Sequence, residues 1–181
     1  MNIVIVGGGR KVDFLTQSLL DKGHQLTIIN KDENDCKYLA RKYDVRVVCG
    51  DGSKPYILED AGIADYNLMI ALTPNDADNL VICQLAKKVY DIKRAFSIVS
   101  NPDNVDVFKD LGINTVVSST YILAGIIEQM ASIDQIVNYL PIENGKVQLL
   151  EMVVKKEFGI SGKQLAEIDF PEDAIIGCII R

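Results

Sequence analysis

The chain has 181 residues, 48% of them hydrophobic and 24% charged, with a formal net charge of −6. That length fits one ordinary domain with a small appendage, and the hydrophobic share suffices for a sizeable core. No aliphatic run approaches a membrane span, no block of Lys or Arg offers nucleic acid a basic face, and no basic-then-apolar leader opens the chain. A cytosolic protein with no direct membrane insertion and no nucleic-acid partner is therefore expected. The four cysteines, Cys36, Cys49, Cys83 and Cys178, form no C-x-x-C pair. Cys49 and Cys178 lie in apolar strand-like runs and Cys83 on an apolar helix face, so they read as buried reduced thiols. One histidine, His24, follows Gly23 in a turn, so zinc chemistry and a Ser-His-Asp triad both lack their residues.

The first element is the clearest. Ile3-Val4-Ile5-Val6 runs straight into Gly7-Gly8-Gly9, and an amphipathic segment follows at once. That order predicts a buried parallel strand, a tight turn and a helix whose N-terminus faces the turn. Unpaired N–H groups and a partial positive charge at the helix start make the turn a phosphate seat. The dinucleotide fingerprint G-x-G-x-x-G asks for a third glycine at position 12, where Val12 stands.

Strands are predicted at Asn2–Val6, Gln25–Ile29, Val45–Cys49, Leu68–Leu72, Ala95–Val99 and Thr115–Val117. Between them the periodicity predicts helices at Val12–Lys22, Glu33–Lys42, Lys54–Ala61, Asp76–Tyr90 and Val105–Leu111. Regular alternation with short linkers gives an α/β fold, a Rossmann-like, doubly wound parallel sheet of six strands. Asn75-Asp76 should open the fourth helix, Asp51 or Ser53 cap the third, and Gly23, Gly62 and Gly112 follow helix ends.

The pattern changes after residue 118. Ser119–Asn138 reads as one long crossover helix with Ile122, Leu123, Ile126, Ile127, Met130, Ile133, Ile136 and Val137 on one apolar stripe. Such a face serves either the core or a dimer or arm-exchange interface. Pro141 should end the run, Glu143-Asn144-Gly145-Lys146 form a turn, and Gln148–Val154 and Ile175–Ile180 form strands. This α+β tail is too short for a substantial core and reads as the start of a second module, truncated or completed by another chain. The expected organisation is 1–118, 119–140 and 141–181.

In an open parallel sheet, ligands bind beyond the carboxyl ends of the strands, where the strand order reverses. The residues there are Gly7, Gly8, Gly9 and Arg10 after the first strand, then Asn30, Lys31 and Asp32 after the second. Gly50, Asp51, Gly52 and Ser53 follow the third, Thr73, Pro74 and Asn75 the fourth, and Ser100, Asn101 and Pro102 the fifth. Asn30 stands where an acidic ribose ligand is expected. Lys31 either meets a phosphate or is a solvated loop residue, and Asp32 either contacts ribose or caps the next helix. Asp51 either accepts from an adenine amino group or caps. Among these strand-end residues there is no Tyr-x-x-x-Lys pair, no paired catalytic carboxylates and no nucleophilic His or Cys, so the site reads as one that senses a nucleotide without transforming it.

Together these segments resemble the RCK domains (regulator of conductance of potassium, TrkA-N type) of Trk and Ktr potassium-uptake systems. The likeness is carried by the opening strand with Gly7-Gly8-Gly9, by Gly23-His24-Gln25-Leu26-Thr27-Ile28-Ile29 and by Val47-Val48-Cys49-Gly50-Asp51-Gly52-Ser53. It continues through Leu58-Glu59-Asp60-Ala61-Gly62-Ile63, Ala71-Leu72-Thr73-Pro74-Asn75-Asp76 with Asn79, and Ser100-Asn101-Pro102 before Leu111-Gly112-Ile113. The tail from Lys146, including Gly162-Lys163-Gln164-Leu165, resembles the first part of the family's C-terminal (TrkA-C-like) domain.

The resemblance implies a non-enzymatic, cytoplasmic gating subunit, peripheral to the inner face of the membrane through a potassium transporter partner. It implies a homo-oligomer, a dimer or an octameric ring, binding an adenine nucleotide (AMP, ADP or ATP) or NAD(H). Position by position, Gly7, Gly9 and Arg10 would cradle phosphates, Asn30 and Lys31 would face the ribose, Asp51 and Gly52 would meet adenine, and Thr73 would line the cleft. Asn79 matches a commonly polar position on the following helix. Val12, Asn30 and Ile98 depart from the family pattern, which should weaken NAD in particular and favour a monophosphate such as AMP. The competing expectations are an NAD(P)-dependent oxidoreductase or epimerase lacking its substrate domain, and a free-standing adenine-nucleotide sensor.

Overall fold

The computed structural model describes residues 1–132, 136–142, 147–155, 159–171 and 173–180. Its first part alternates β1 (Asn2–Gly7), α1 (Gly9–Asp21), β2 (Gln25–Asn30), α2 (Glu33–Lys42), β3 (Arg46–Cys49) and α3 (Pro55–Asp60). There follow β4 (Leu68–Leu72), α4 (Asp76–Lys88), β5 (Arg94–Val99), α5 (Asn104–Asp110), β6 (Thr115–Ser118) and α6 (Ser119–Ser132). The six strands form one parallel sheet in the order β3-β2-β1-β4-β5-β6. This is the Rossmann-like, doubly wound sheet that the alternation predicts, with the order reversing between β1 and β4.

The aliphatic runs are continuous because each central strand is covered on both faces. Side chains alternate along β1. Ile3 and Ile5 pack with Val12 of α1, Leu39 of α2, and Leu26, Ile28, Ile70 and Leu72 of the flanking strands. Val4 and Val6 point the other way, into a cluster with Leu58 of α3, Ile82 of α4 and Phe108 of α5. Each such fully buried aliphatic side chain contributes about 1.5–3 kcal/mol relative to exposure. Val12 is wholly buried in the first cluster, so the branched side chain at the third fingerprint position fills the layer between α1 and the sheet.

Helix starts follow short polar caps. Asp32 caps α2 by accepting from Asp35 N at 2.9 Å, and Asn75 caps α4 by accepting from Asp78 N at 3.1 Å. The third helix departs from expectation. Its N-cap is Lys54, with Pro55 behind it, and neither Asp51 nor Ser53 caps it. Pro55 needs no partner for an N–H it lacks, which is why a proline start serves here. Gly23, Gly62 and Gly112 follow helix ends with left-handed φ, as predicted.

The chain divides into two compact units, Met1–Leu123 and Ala124–Arg181. The long helix expected over Ser119–Asn138 stops at Ser132. Ile136 and Val137 belong instead to β7 (Ile136–Ile142), which pairs antiparallel with β8 (Val147–Met152). A run of β-branched residues is ambiguous between helix stripe and strand, and the partner strand decides it. Pro141 does not break this strand, since a two-stranded ladder leaves each strand an open edge where a missing N–H is tolerated. The expected turn at Glu143–Lys146 and the stripe residue Ile133 lie outside the described residues. Ile175–Ile180 was expected as a strand but has no ladder partner among the described residues, and Ile175 is 96% exposed.

Candidate functional site

The carboxyl ends of β1 to β4 bring the predicted residues to one edge of the sheet. Gly7 ends β1 opposite Leu72 of β4, Gly8 caps α1, and Gly9 and Arg10 open it. Asn30 ends β2 opposite Cys49 of β3, with Lys31 exposed in the loop that follows. Asp51, Gly52 and Ser53 follow β3, and Thr73 and Pro74 follow β4.

The start of α1 has neither a side-chain cap nor an acidic residue in its first turn. Its acceptor comes from another helix: Gly9 N donates to Asp35 Oδ2 at 2.8 Å. Asn30 Nδ2 donates to the same oxygen at 3.2 Å, while Asn30 Oδ1 accepts from Asp32 N at 3.2 Å. An acidic residue in the third position of a helix commonly folds back onto the N–H of its cap. Here Asn30 takes that N–H, which leaves the Asp35 carboxylate available to α1. The approach is close. A Cβ on Gly8 would fall against Asn30 Nδ2 and within 2.5 Å of Asp35 Oδ2, so any larger residue would have to push these two side chains aside.

One helical turn along, α2 is tied to α1. Lys42 Nζ donates to both Asp13 carboxylate oxygens at 2.7 and 2.8 Å and to Tyr38 Oη at 3.0 Å, and Tyr43 Oη donates to Asp13 Oδ1 at 2.7 Å. The Lys42 bond first, then Tyr43, holds the Asp13 carboxyl below the usual carboxylate range, and Asp13 raises Lys42 in return. A shallow cleft lined by Gly9, Arg10, Asp13, Asp35, Tyr38 and Leu39 runs between the two helices.

Asp51 folds onto its own loop. Its Oδ1 accepts from Ser53 N at 2.9 Å and Ser53 Oγ at 2.7 Å, and these two bonds, the backbone one first, hold its carboxyl below the usual range. Gly50 N donates to Asn30 O at 2.8 Å, and a Cβ on Gly52 would strike Val6 Cγ1, so this loop lies against the end of β1. Lys31 is near enough to Asp51 to help keep it ionised.

Asn79, one turn into α4, is fully buried. Its Oδ1 accepts from Thr73 N at 2.9 Å and Thr73 Oγ1 at 2.8 Å, and its Nδ2 donates to Thr73 O at 3.0 Å and Ile98 O at 3.1 Å. Every hydrogen-bonding position of the amide is engaged, so Asn79 positions the Thr73 loop from behind.

Two residues at this edge make side-chain contacts that the sequence reading did not foresee, although it placed Asp76 at the start of the fourth helix. Asp35 is one, although its acidic side chain three residues past a cap was a legible signal. Asp76 is the other: it accepts from Ser100 N at 2.8 Å, Asn101 N at 3.0 Å and Asn104 Nδ2 at 2.8 Å, fixing the loop after β5 to the start of α4. Its burial opposes ionisation, but the three bonds outweigh it and the carboxyl lies below its ordinary range. Among the described residues, no group of three or more His, Cys, Asp or Glu side chains is placed to hold a metal ion. Nor, among them, is any helix long and apolar enough to cross a membrane.

The TrkA-N domain family matches residues 3–119. The Trk system potassium uptake protein TrkA homolog of Methanothermobacter thermautotrophicus is 32% identical over 179 residues, 99% of this chain and 82% of that protein. Among solved structures, the Kef CTD of Shewanella denitrificans in AMP-bound form matches with a TM-score of 0.63 at 22% identity, over 73% of this chain and 81% of that one. The GsuK channel bound to NAD matches with a TM-score of 0.61 at 20% identity, over 67% of this chain and 22% of that one. At such identities the structural likeness establishes the fold. The family match and the near full-length relative establish more: this chain belongs to the TrkA-N domain family.

Proposed function

We propose that the chain is a regulatory subunit of a potassium uptake transporter that binds an adenine nucleotide at the carboxyl ends of β1 to β4. The observation that carries this reading is the likeness to a Trk system potassium uptake protein across 99% of the chain. The fold neighbours bound to AMP and NAD support a nucleotide as the ligand class. The backbone at Gly7, Gly8 and Gly9 with Arg10 and Lys31 would meet phosphate, Asn30 the ribose, Asp51 with Gly52 and Ser53 the adenine, and Thr73 and Pro74 the far wall. Asn79 acts through Thr73.

The subunit is not an enzyme in this reading, since the relative that carries it is a potassium uptake protein. It works from the cytoplasmic side as a homo-oligomer beneath its membrane partner. Residues 1–118 bind nucleotide, the helix that follows serves assembly, and the tail begins a TrkA-C-like module. A ligand that binds one inter-subunit arrangement better shifts the population toward it, and coupling of about 1–3 kcal/mol changes channel opening several-fold.

Thermal melting of the purified chain with AMP, ADP, ATP, NAD and NADH tests the ligand class. At a hundred times its dissociation constant a nucleotide should add about 2.7 kcal/mol, and the same ligand should change ion flux when chain and transporter are reconstituted together. A melting profile unmoved by all five nucleotides would sink the reading.

A further inference from the structure

Asp35 holds a carboxylate where the first ligand phosphate would sit. Gly9 N is one of the unpartnered donors at the start of α1, the end of the helix that carries its partial positive charge. That donor is already spent on Asp35 Oδ2 at 2.8 Å. The contact is built from several sides: Asn30 donates to the same oxygen at 3.2 Å, Gly8 leaves room for it, and the Asp13–Lys42 ion pair, 2.7 Å long, ties α2 to α1 one turn away. Among the described residues no cation forms an ion pair with it. Lys42 is engaged by Asp13, and Arg10 and Lys31 are exposed.

We propose that the Asp35 carboxylate is an internal occupant of the phosphate seat, and that it sets nucleotide selectivity by competing with ligand phosphate for Gly9 N. The proposal rests on the nucleotide reading above and adds to it a residue that decides which nucleotides enter. Asn30 is the other half of the arrangement. An aspartate at position 30 would set two carboxylates against each other at the present 3.2 Å contact, whereas the amide donates across it. The negative charge that could have served a ribose at the end of β2 is thus carried five residues on and delivered to α1. A phosphate must displace that like charge or bind beside it, whereas a ligand without phosphate does not compete for Gly9 N. Ligands are therefore penalised for each phosphate oxygen that needs Gly9 N, and a pyrophosphate seated across the whole turn is penalised most.

The test is calorimetric titration of the full chain and of Asp35→Asn with adenosine, AMP, ADP and NAD. Asparagine keeps an acceptor for Gly9 N and removes the charge. The expected result is an affinity gain of about 10-fold or more for AMP, ADP and NAD, and none for adenosine, which has no phosphate. Asn30→Asp should strengthen NAD as well, by driving Asp35 off the turn and supplying a ribose acceptor. In the unmodified chain, saturating AMP should shift the Gly9 amide resonance, a readout that needs no variant to fold. Equal affinity of the chain and Asp35→Asn for AMP, or a Gly9 resonance that AMP leaves in place, overturns the proposal and leaves the nucleotide reading standing. Absence of binding by every nucleotide to both proteins overturns the nucleotide reading and this proposal with it.

Discussion

The amide of Asn79 grips Thr73 by three hydrogen bonds, two accepted by Oδ1 at 2.8 and 2.9 Å and one donated by Nδ2 at 3.0 Å. With a fourth bond to Ile98 O at 3.1 Å, one buried side chain fixes the loop after β4 and the end of β5. Truncation to alanine would strand the Thr73 and Ile98 backbone groups in a water-poor site. Asn79→Ala should therefore cost about 2–4 kcal/mol in urea unfolding. Asn79→Asp should cost a similar amount, since a carboxylate cannot donate to the two carbonyls. A near-neutral result for both would show that the loop is held by other contacts.

Acid should unfold this protein through identifiable carboxylates. Asp13, Asp51 and Asp76 all lie below the ordinary aspartate value of 3.8 in the folded chain. As pH falls the unfolded chain takes up these protons first. The stability they provide is complete above the unfolded value and is lost as pH drops through the folded ones. Asp76→Asn should cost about 1–2 kcal/mol at pH 7, a range already discounted for partial solvent exposure. Parent and variant should converge as pH falls through the folded value of Asp76. Parallel unfolding curves across that range would rule out Asp76 as a source of the acid limb.

Thr16 offers a stabilising change. Its hydroxyl is buried in α1 and Oγ1 has no hydrogen-bond partner. Valine has nearly the same shape and no polar atom to desolvate, so Thr16→Val should add about 1 kcal/mol and raise the melting temperature by about 2–4 °C. A fall in melting temperature would mean the hydroxyl is satisfied in solution.

The cysteines should divide into two classes. Burial, with the Cys49 thiol beside it, pushes Cys36 up to about 12, and burial pushes Cys83 up to about 12. Cys49 and Cys178 are exposed, against the expectation from their apolar neighbours in sequence that they would be buried. A disulfide reagent at pH 8 should therefore titrate two thiols quickly in the folded chain and all four in denaturant. Substituting Cys49 and Cys178 with serine should abolish the fast phase; if it persists, the α2 packing around Cys36 opens readily.

Much of the sheet edge that carries the candidate site was legible because its determinants are local. Ile3–Val6 before Gly7, Gly8 and Gly9 encode a doubly covered strand and its turn within eight residues. Asp32 and Asn75 are recognisable caps for the same reason. The tail was less legible. Ile136 and Val137 satisfy a helical stripe and a strand equally well, and β8, reached only after the intervening segment, settles the choice.

The sequence by itself determined the six-stranded parallel sheet and the set of polar residues at the strand ends, while the order of the strands, which reverses beside Gly7, came from the structure. Periodicity, glycine placement and caps act over one or two turns and need no partner. Only the tertiary structure decided where the polar side chains spend their hydrogen bonds. Asn79 faces inward to Thr73, and Asp76 reaches across to Ser100 and Asn101, 24 and 25 residues away. Asp35 leaves its own helix for Gly9, 26 residues away. Such choices follow from how α2 packs on α1 and α4 on the sheet, because a charged or amide group takes whichever donor or acceptor the packing brings within 3 Å or so.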